Sequence, residues 1–155
     1  IITEVIFMQK HYTTARARVR GGKAFPDING IVTFRQTPRG VLVTANICGL
    51  PADRGIYAFH IHSGTSCTGN VEDEFADAKM HYNPDNSFHP YHAGDLPPLF
   101  SNDGCAYAQV LTNRFAVKDV IGRTVIIHDN VDDFTTQPSG SNSGEKIACG
   151  IIVKN

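Results

Sequence analysis

The sequence has no tryptophan, only two methionines and no excess of charge of either sign. Its 155 residues include fourteen basic and fifteen acidic side chains, for a net charge of −1 at neutral pH, which excludes the strongly basic footprint of a nucleic-acid-binding protein. No apolar run approaches the roughly 18 residues that a membrane-spanning helix requires. We therefore expect one globular domain that spans no membrane and binds no nucleic acid.

Cysteine is also scarce, and its spacing excludes two kinds of site. The four cysteines contain no C-x-x-C pair, which argues against a zinc ribbon and against a thioredoxin-type redox motif. An even number permits two disulfides, but spacing alone leaves their connectivity open and equally allows buried thiols in a cytosolic protein. The cysteine count therefore does not decide the compartment.

Short segments rich in β-branched residues, separated by glycine and proline, predict strands rather than helices. The candidate strands are residues 15–20, 31–34, 41–47, 56–62, 105–111, 124–127 and 147–153. This density gives about eight strands and is typical of a sandwich. We expect an all-β fold, an eight-stranded antiparallel β-sandwich or flattened barrel.

Two long segments, residues 63–98 and 129–146, show no sustained apolar periodicity and predict loops. Loops longer than about 12–15 residues are uncommon in compact domains and are usually functional or disordered. Six of the seven histidines lie in these loops or immediately before them, and only His11 stands apart. The six are His60, His62, His81, His89, His92 and His128. We therefore interpret both loops as functional.

The spacing of these histidines suits a metal site. His60 and His62 are two residues apart in a predicted strand, so both imidazoles point to the same face. Three imidazoles and one carboxylate follow within fifteen residues, at His81, His89, His92 and Asp95. Nitrogen-rich sets with one oxygen favour zinc or copper over calcium or magnesium, and the total number of ligands fits two ions.

Five strings, in this order, resemble the signature of the copper/zinc superoxide dismutase family. They are F-H-I-H at 59–62, H-Y-N-P at 81–84, H-A-G-D-L-P at 92–97, G-R-T-V-I-I-H-D at 122–129 and A-C-G at 148–150. The resemblance covers about residues 15–155, which we expect to form a single domain with Greek-key strand order, preceded by an extension of unknown role at 1–14. It implies an enzyme that disproportionates superoxide into dioxygen and hydrogen peroxide, with copper and zinc as cofactors.

The resemblance also implies a role for each candidate residue. The implied copper ligands are His60, His62, His81 and His128. The implied zinc ligands are His81, His89, His92 and Asp95. His81 would then bridge the two ions and gain a proton when copper is reduced. Asp132 matches the carboxylate that links the copper ligand His60 with the zinc ligand His89, and such partners fix ring orientation and tautomer.

The same resemblance pairs Cys67 with Cys149, and the strand order of the family brings Cys48 next to Cys105. Two disulfides favour an oxidising compartment. The expected location is therefore extracellular, at the cell surface or periplasmic. The sequence leaves the oligomeric state open, and a homodimer is compatible with it.

Three departures from the family pattern affect these expectations. Lys146 occupies the position of an active-site arginine; it keeps the charge but lacks the planar fork of donors that orients an anion, which predicts slower and more salt-sensitive turnover. Only two residues separate His89 from His92, a much shorter interval than the family normally shows, and Pro90 restricts His89 to extended geometry; this departure permits an enzyme that holds copper without stoichiometric zinc. Acidic residues outnumber Lys146 in the second loop, which predicts weak attraction of superoxide there.

Three alternatives to this enzyme follow from the sequence. A copper-binding or copper-storing module would keep the ligands without fast turnover, and Lys146 leaves room for it. A copper-only superoxide dismutase would lack stoichiometric zinc. A non-catalytic adhesion sandwich explains the strands but predicts neither the ordered histidines nor the absence of a core tryptophan.

Overall fold

The computed structural model of the protein describes residues 12–137 and 142–155. Most of the predicted extension, residues 1–11, and residues 138–141 of the second loop lie outside this part. The strands are β1 (Thr14–Gly21), β2 (Asn29–Thr37), β3 (Gly40–Cys48), β4 (Ile56–Tyr57), β5 (Phe59–His62), β6 (Leu99–Asn102), β7 (Cys105–Thr112), β8 (Thr124–His128) and β9 (Lys146–Lys154). One four-residue helix, α1 (Val117–Val120), and a 3-10 turn at Ala76–Ala78 are the helical elements of the described residues.

The strands form one antiparallel sheet in the order β4-β6-β7-β3-β2-β1-β9-β8-β5. β4 and β5 lie at opposite ends of this order, although Ala58 alone separates them in the chain. The sheet must therefore curl until its two edges meet, which makes it a nearly closed barrel. The predicted all-β antiparallel fold is confirmed.

Strand alternation decides which side chains fill the barrel. In β1, Ala15, Ala17 and Val19 are fully buried and the arginines between them are exposed, as the period of two requires. β5 and β8 differ, because every residue in both strands is buried. One face of each contacts the barrel core, and the two long loops cover the other. That covered face is where the histidines lie.

The described residues form nine strands where the sequence predicted about eight. The predicted segment 56–62 is interrupted at Ala58, which bonds to the end of β8 and the start of the second loop. Its N–H donates to Asn130 O at 2.9 Å, and its carbonyl accepts from His128 N at 2.9 Å. β6 was not predicted. It pairs with β7 around Asp103-Gly104, where both residues have positive φ angles of 51° and 73°. This dipeptide is the strongest short hairpin signal.

Two disulfides tie the structure together. Cys48–Cys105 joins the end of β3 to the start of β7 across 57 residues, and Cys67–Cys149 joins the first loop to β9 across 82 residues. These are the two pairs named in the sequence analysis. Cys149 also packs with Phe75 from the first loop and Ile126 from β8. Within residues 12–137 and 142–155, no helix has the length and apolar composition needed to cross a membrane.

The two disulfides are expected to differ in what they protect. Replacing Cys67 and Cys149 with serine should lower the free energy of unfolding by about 4–5 kcal/mol in the chain-entropy model, and it should also weaken metal binding because the first loop loses its tether to β9. Replacing Cys48 and Cys105 should cost about the same stability but leave metal binding intact. Urea denaturation of the metal-free proteins, with metal affinity from chelator competition, measures both effects; equal metal affinity in the two double variants would contradict the prediction.

Candidate metal centre

Two groups of buried side chains bring their donor atoms within 4.8 Å of one another. The copper group, as we name it, contains His60, His62, His81 and His128. The zinc group contains His81, His89, His92 and Asp95. His81 belongs to both groups. The structure therefore brings together all the ligands predicted from the sequence, and it arranges them in the two predicted sets, which share one imidazole.

Backbone hydrogen bonds place the first loop next to the copper group. His60 and His62 lie on β5, which is paired with β8 so that His128 ends close by. The loop then folds back on β5, since Tyr82 N donates to Ile61 O at 2.8 Å and Ile61 N donates to Gly94 O at 2.9 Å. A Cβ atom at Gly94 would lie 2.2 Å from Ile61 O. Only glycine allows this approach, which brings the loop histidines against β5.

Two imidazoles of the copper group have their protons fixed by carbonyl groups. His62 Nδ1 lies 2.7 Å from Lys79 O and donates to it, and His128 Nδ1 lies 3.3 Å from Gly144 O and donates likewise. Burial lowers the pKa of both rings well below its ordinary value, and the imidazole of His128 lowers that of His62 further. Each ring is therefore neutral and carries an unprotonated Nε2.

These two unprotonated nitrogens face each other at 3.2 Å. Two lone pairs at this distance repel unless a cation lies between them. Ligands bonded to a tetrahedral metal at about 2.0–2.1 Å would be separated by about 3.3 Å. The separation is therefore that of two ligands of one ion.

The other two imidazoles of the copper group, those of His60 and His81, each have one buried nitrogen without a hydrogen-bond partner. His60 Nε2 donates to Asp132 Oδ2 at 2.7 Å, and His81 Nδ1 lies 2.8 Å from Asp95 Oδ1. Their remaining atoms, His60 Nδ1 and His81 Nε2, are buried without a hydrogen-bond partner. Burial lowers the pKa of His60 to about 4 although Asp132 raises it. A buried unpaired nitrogen costs about 1–3 kcal/mol, and a metal ion satisfies both atoms.

In the zinc group, three Nδ1 atoms surround one carboxylate. His81 Nδ1 lies 2.8 Å from Asp95 Oδ1, and His89 Nδ1 lies 3.0 Å from Oδ2. His92 Nδ1 lies 3.3 Å from Oδ1 and 3.2 Å from Oδ2. Three imidazoles and one carboxylate form a four-ligand set that zinc accepts. The short interval between His89 and His92 therefore still lets both rings reach one point.

Asp132 connects the two groups. Its Oδ2 accepts from His60 Nε2 and its Oδ1 from His89 Nε2, both at 2.7 Å, and Phe134 N donates to Oδ1 at 2.8 Å. Burial raises the pKa of this carboxyl, but the hydrogen bonds from His60, Phe134 and His89 together lower it below its ordinary range. The ionised carboxylate fixes the proton of each ring on Nε2, so each Nδ1 is free for a metal.

Two contacts near the site had not been predicted from the sequence. Arg114 lies between β7 and α1, and its Nη1 donates to the carbonyls of Pro90, His92 and Asp95 at 2.9, 3.2 and 3.4 Å. It therefore holds the short segment that carries His89, His92 and Asp95 of the zinc group. Lys146 is paired with Asp73 of the first loop. Both contacts join residues that are distant in sequence, so no local sequence pattern predicts them.

One cavity of about 820 Å³ reaches the copper group from the surface. Its wall includes His62, His81 and His128 together with Lys146, which lies opposite His128 in the β8–β9 ladder. We call it the entrance cavity. Small solutes can therefore reach the copper group, with Lys146 beside their path.

The double role of Asp132 yields a prediction. In Asp132→Asn the amide oxygen accepts from one ring, but the NH₂ must donate to the other, which moves that ring's proton to Nδ1 and removes one metal ligand. Loss of such a partner typically costs about 10–100-fold in metal affinity. Competition with chromophoric chelators measures it for copper and zinc separately, and Asp133→Asn, a change in the neighbouring loop acid, is the control. Unchanged affinity for both ions in Asp132→Asn would contradict the assigned role.

Comparison with known proteins agrees with this geometry. A sequence profile described as "Copper/zinc superoxide dismutase (SODC)" matches residues 28–152. The chain is 37% identical over 148 residues to the Cu-Zn superoxide dismutase of Legionella pneumophila, with 91% of this chain and 83% of that protein covered. It is 33% identical over 141 residues to the copper chaperone for superoxide dismutase of Homo sapiens, covering 83% of this chain and 49% of that protein.

Solved structures give the same result. The Cu/Zn superoxide dismutase from Brucella abortus superposes with a TM-score of 0.76 at 25% identity, over 89% of this chain and 98% of that chain. Fold, sequence profile and donor geometry thus coincide, and the chain belongs to the copper/zinc superoxide dismutase family.

Proposed function

We propose that this protein converts two superoxide ions and two protons into dioxygen and hydrogen peroxide, with copper held by the copper group and zinc by the zinc group. The observation that carries the proposal is the pair of unprotonated nitrogens, His62 Nε2 and His128 Nε2, facing each other at 3.2 Å on the wall of an open cavity. An ion bound there is accessible to a small anion. Copper supplies the redox chemistry, because it alternates between two oxidation states whereas zinc does not.

His81 is the proposed proton carrier. Its Nδ1 belongs to the zinc group, and its Nε2 is directed at the copper group with no other partner. An imidazole can serve both ions only when both nitrogens are deprotonated, which two divalent cations can enforce. Without a metal on Nε2 the ring could hold a proton there, and because His81 lines the entrance cavity, it would hold that proton within reach of the product.

Asp95 and Asp132 keep this proton carrier in place. Asp95 contacts the Nδ1 side of His81, and Asp132 fixes His60 and His89 on either side of it. The ring centroids of His60 and His81 are 4.0 Å apart, so neither ring can move freely. An ion held by the zinc group would therefore contribute charge and fix the geometry of the site, without exchanging electrons.

Lys146 is the proposed guide for the anionic substrate. It is largely buried, with 16% of its side chain exposed, and it lies across the ladder from His128. A positive charge at this point attracts an anion entering the cavity. Its pairing with Asp73 limits that attraction.

The location and the oligomeric state are further parts of the proposal. The two disulfides and the bacterial relative support a periplasmic or otherwise secreted protein. The homodimer stays a prediction, and light scattering coupled to size-exclusion chromatography measures it.

A copper-carrying role is the second candidate. The similarity to a copper chaperone and the neutralised charge of Lys146 favour it. Copper-loaded protein that binds the metal but leaves superoxide decay at the uncatalysed rate would support this role over the enzyme.

Removing His81 tests the shared imidazole. Refolded with both ions, the parent protein should hold one copper and one zinc and should dismutate superoxide, whereas His81→Ala should lose more than tenfold in metal affinity and nearly all activity with its far-UV circular dichroism unchanged. His92→Ala is the matched control, since it removes a ligand from the zinc group alone and should retain copper. Copper without stoichiometric zinc in the parent would instead indicate the copper-only enzyme.

Restoring arginine at position 146 should raise the rate. In Lys146→Arg one end of the guanidinium can stay with Asp73 while the other N–H groups face the anion, an arrangement that the single ammonium nitrogen of lysine does not offer. We expect a rise of about two- to fivefold in the rate constant, with weaker dependence on ionic strength. Superoxide decay measured by pulse radiolysis at several salt concentrations gives both values, and an unchanged or lower rate would refute the expectation.

A further inference from the structure

Asp73 has a carboxylate with two separate tasks. Its Oδ1 accepts from Phe75 N at 2.9 Å, which closes a turn in the first loop. Its Oδ2 accepts from Lys146 Nζ. The turn fixes the carboxylate at the edge of the entrance cavity, and the second oxygen pairs with the ammonium group of Lys146, whose charge acts on His128 of the copper group.

We propose that Asp73 limits the rate of the enzyme by competing with the anionic substrate for the ammonium group of Lys146. The inference rests on the proposed dismutase function, and it adds that the carboxylate of Asp73 weakens the binding of substrate. An entering anion must displace the carboxylate or bind to an ammonium whose charge is already compensated. Asp73 would therefore decide how strongly the site attracts small anions in general.

The charges around the entrance cavity support this reading. Its basic residues are Lys23, Lys79 and Lys146, and its acidic residues are Glu72, Asp73, Glu74 and Glu145. The wall thus carries no excess of positive charge, and an anion gains little from the cavity as a whole. Lys146 lies opposite His128 in the β8–β9 ladder. Whether its ammonium group is paired with Asp73 therefore affects how strongly an anion is attracted near the copper group.

The pair is open enough for competition to occur. The side chain of Asp73 is 38% exposed and that of Lys146 is 16% exposed. Partly exposed ion pairs are weak, so releasing the ammonium changes anion affinity by a factor of about two to five. The Asp73–Lys146 pair therefore weakens anion binding without preventing it.

Asp73→Asn isolates this effect. The amide oxygen can still accept from Phe75 N and keep the turn, while the NH₂ group cannot accept from Lys146. Glu72→Gln is the matched control, because it removes the same charge from the neighbouring residue of the same cavity. Glu72 has no ion pair among the described residues, and at about 0.1 M salt its charge acts only within a Debye length of about 10 Å.

The measurement is the affinity of the copper- and zinc-loaded protein for azide, read from its visible absorption band. We expect the azide dissociation constant to fall about two- to fivefold in Asp73→Asn and to change less in Glu72→Gln. In a Lys146→Gln background the Asp73→Asn change should have no further effect, since the competed group is gone. Superoxide turnover should rise in Asp73→Asn in parallel with azide affinity.

Three results would overturn the proposal. Equal effects of Asp73→Asn and Glu72→Gln would show that net charge alone acts. A persisting effect in the Lys146→Gln background would separate Asp73 from Lys146. Weaker azide binding in Asp73→Asn would mean that the carboxylate positions the ammonium for the anion. Azide binding is read independently of turnover, so failure of the dismutase proposal would appear separately, as an inactive parent protein.

Discussion

The fixed position of the proton on four of the buried imidazoles, those of His60, His62, His89 and His128, is the constraint on which this structure depends. Neutral rings packed together have both a donor and an acceptor, and a metal can bind only where the acceptors converge. Lys79 O and Gly144 O hold the protons of His62 and His128, and Asp132 holds those of two further rings. These acceptors belong to the two loops. The loops therefore do more than cover the site, because they decide which nitrogen of each ring can be a ligand.

The barrel makes this arrangement durable by anchoring the loops at several points. Cys67–Cys149 fixes the first loop to β9, and Arg123 Nη1 donates to Ser63 O where that loop begins. Arg54 bonds both the backbone and the carboxylate of Asp129 at 2.7 Å, next to His128. A strand whose residues are buried on both faces contacts the core on one side and these anchored loops on the other. Rigid surroundings of this kind are what a preorganised metal site requires.

The sequence was informative wherever chemistry follows from local spacing. The two-residue step from His60 to His62 predicted convergence on one face, and the β-branched segments predicted the sheet. The prediction of one strand over residues 56–62 was wrong because Ile56 and Tyr57 pair with β6, whereas Phe59–His62 pair with β8 at the other edge of the sheet. The hairpin at Asp103-Gly104, in contrast, has a local sequence signal. Arg114 and Asp73 act through contacts 19 to 73 residues distant in sequence. Such pairings are decided by the closed barrel, and one sequence does not reveal them.

If both groups bind ions as proposed, the sharing of His81 would link the two ions thermodynamically. An ion bound by the zinc group would hold the ring of His81 with its other nitrogen directed at the copper group, so a second ion would meet a ligand whose orientation is already fixed. Linkage requires that each ion change the affinity for the other by the same factor. Where this factor is above one, occupancy would be cooperative, and the protein would pass preferentially between the empty and the doubly loaded state. A single imidazole would thereby make the cellular supply of either metal a determinant of whether the other is retained.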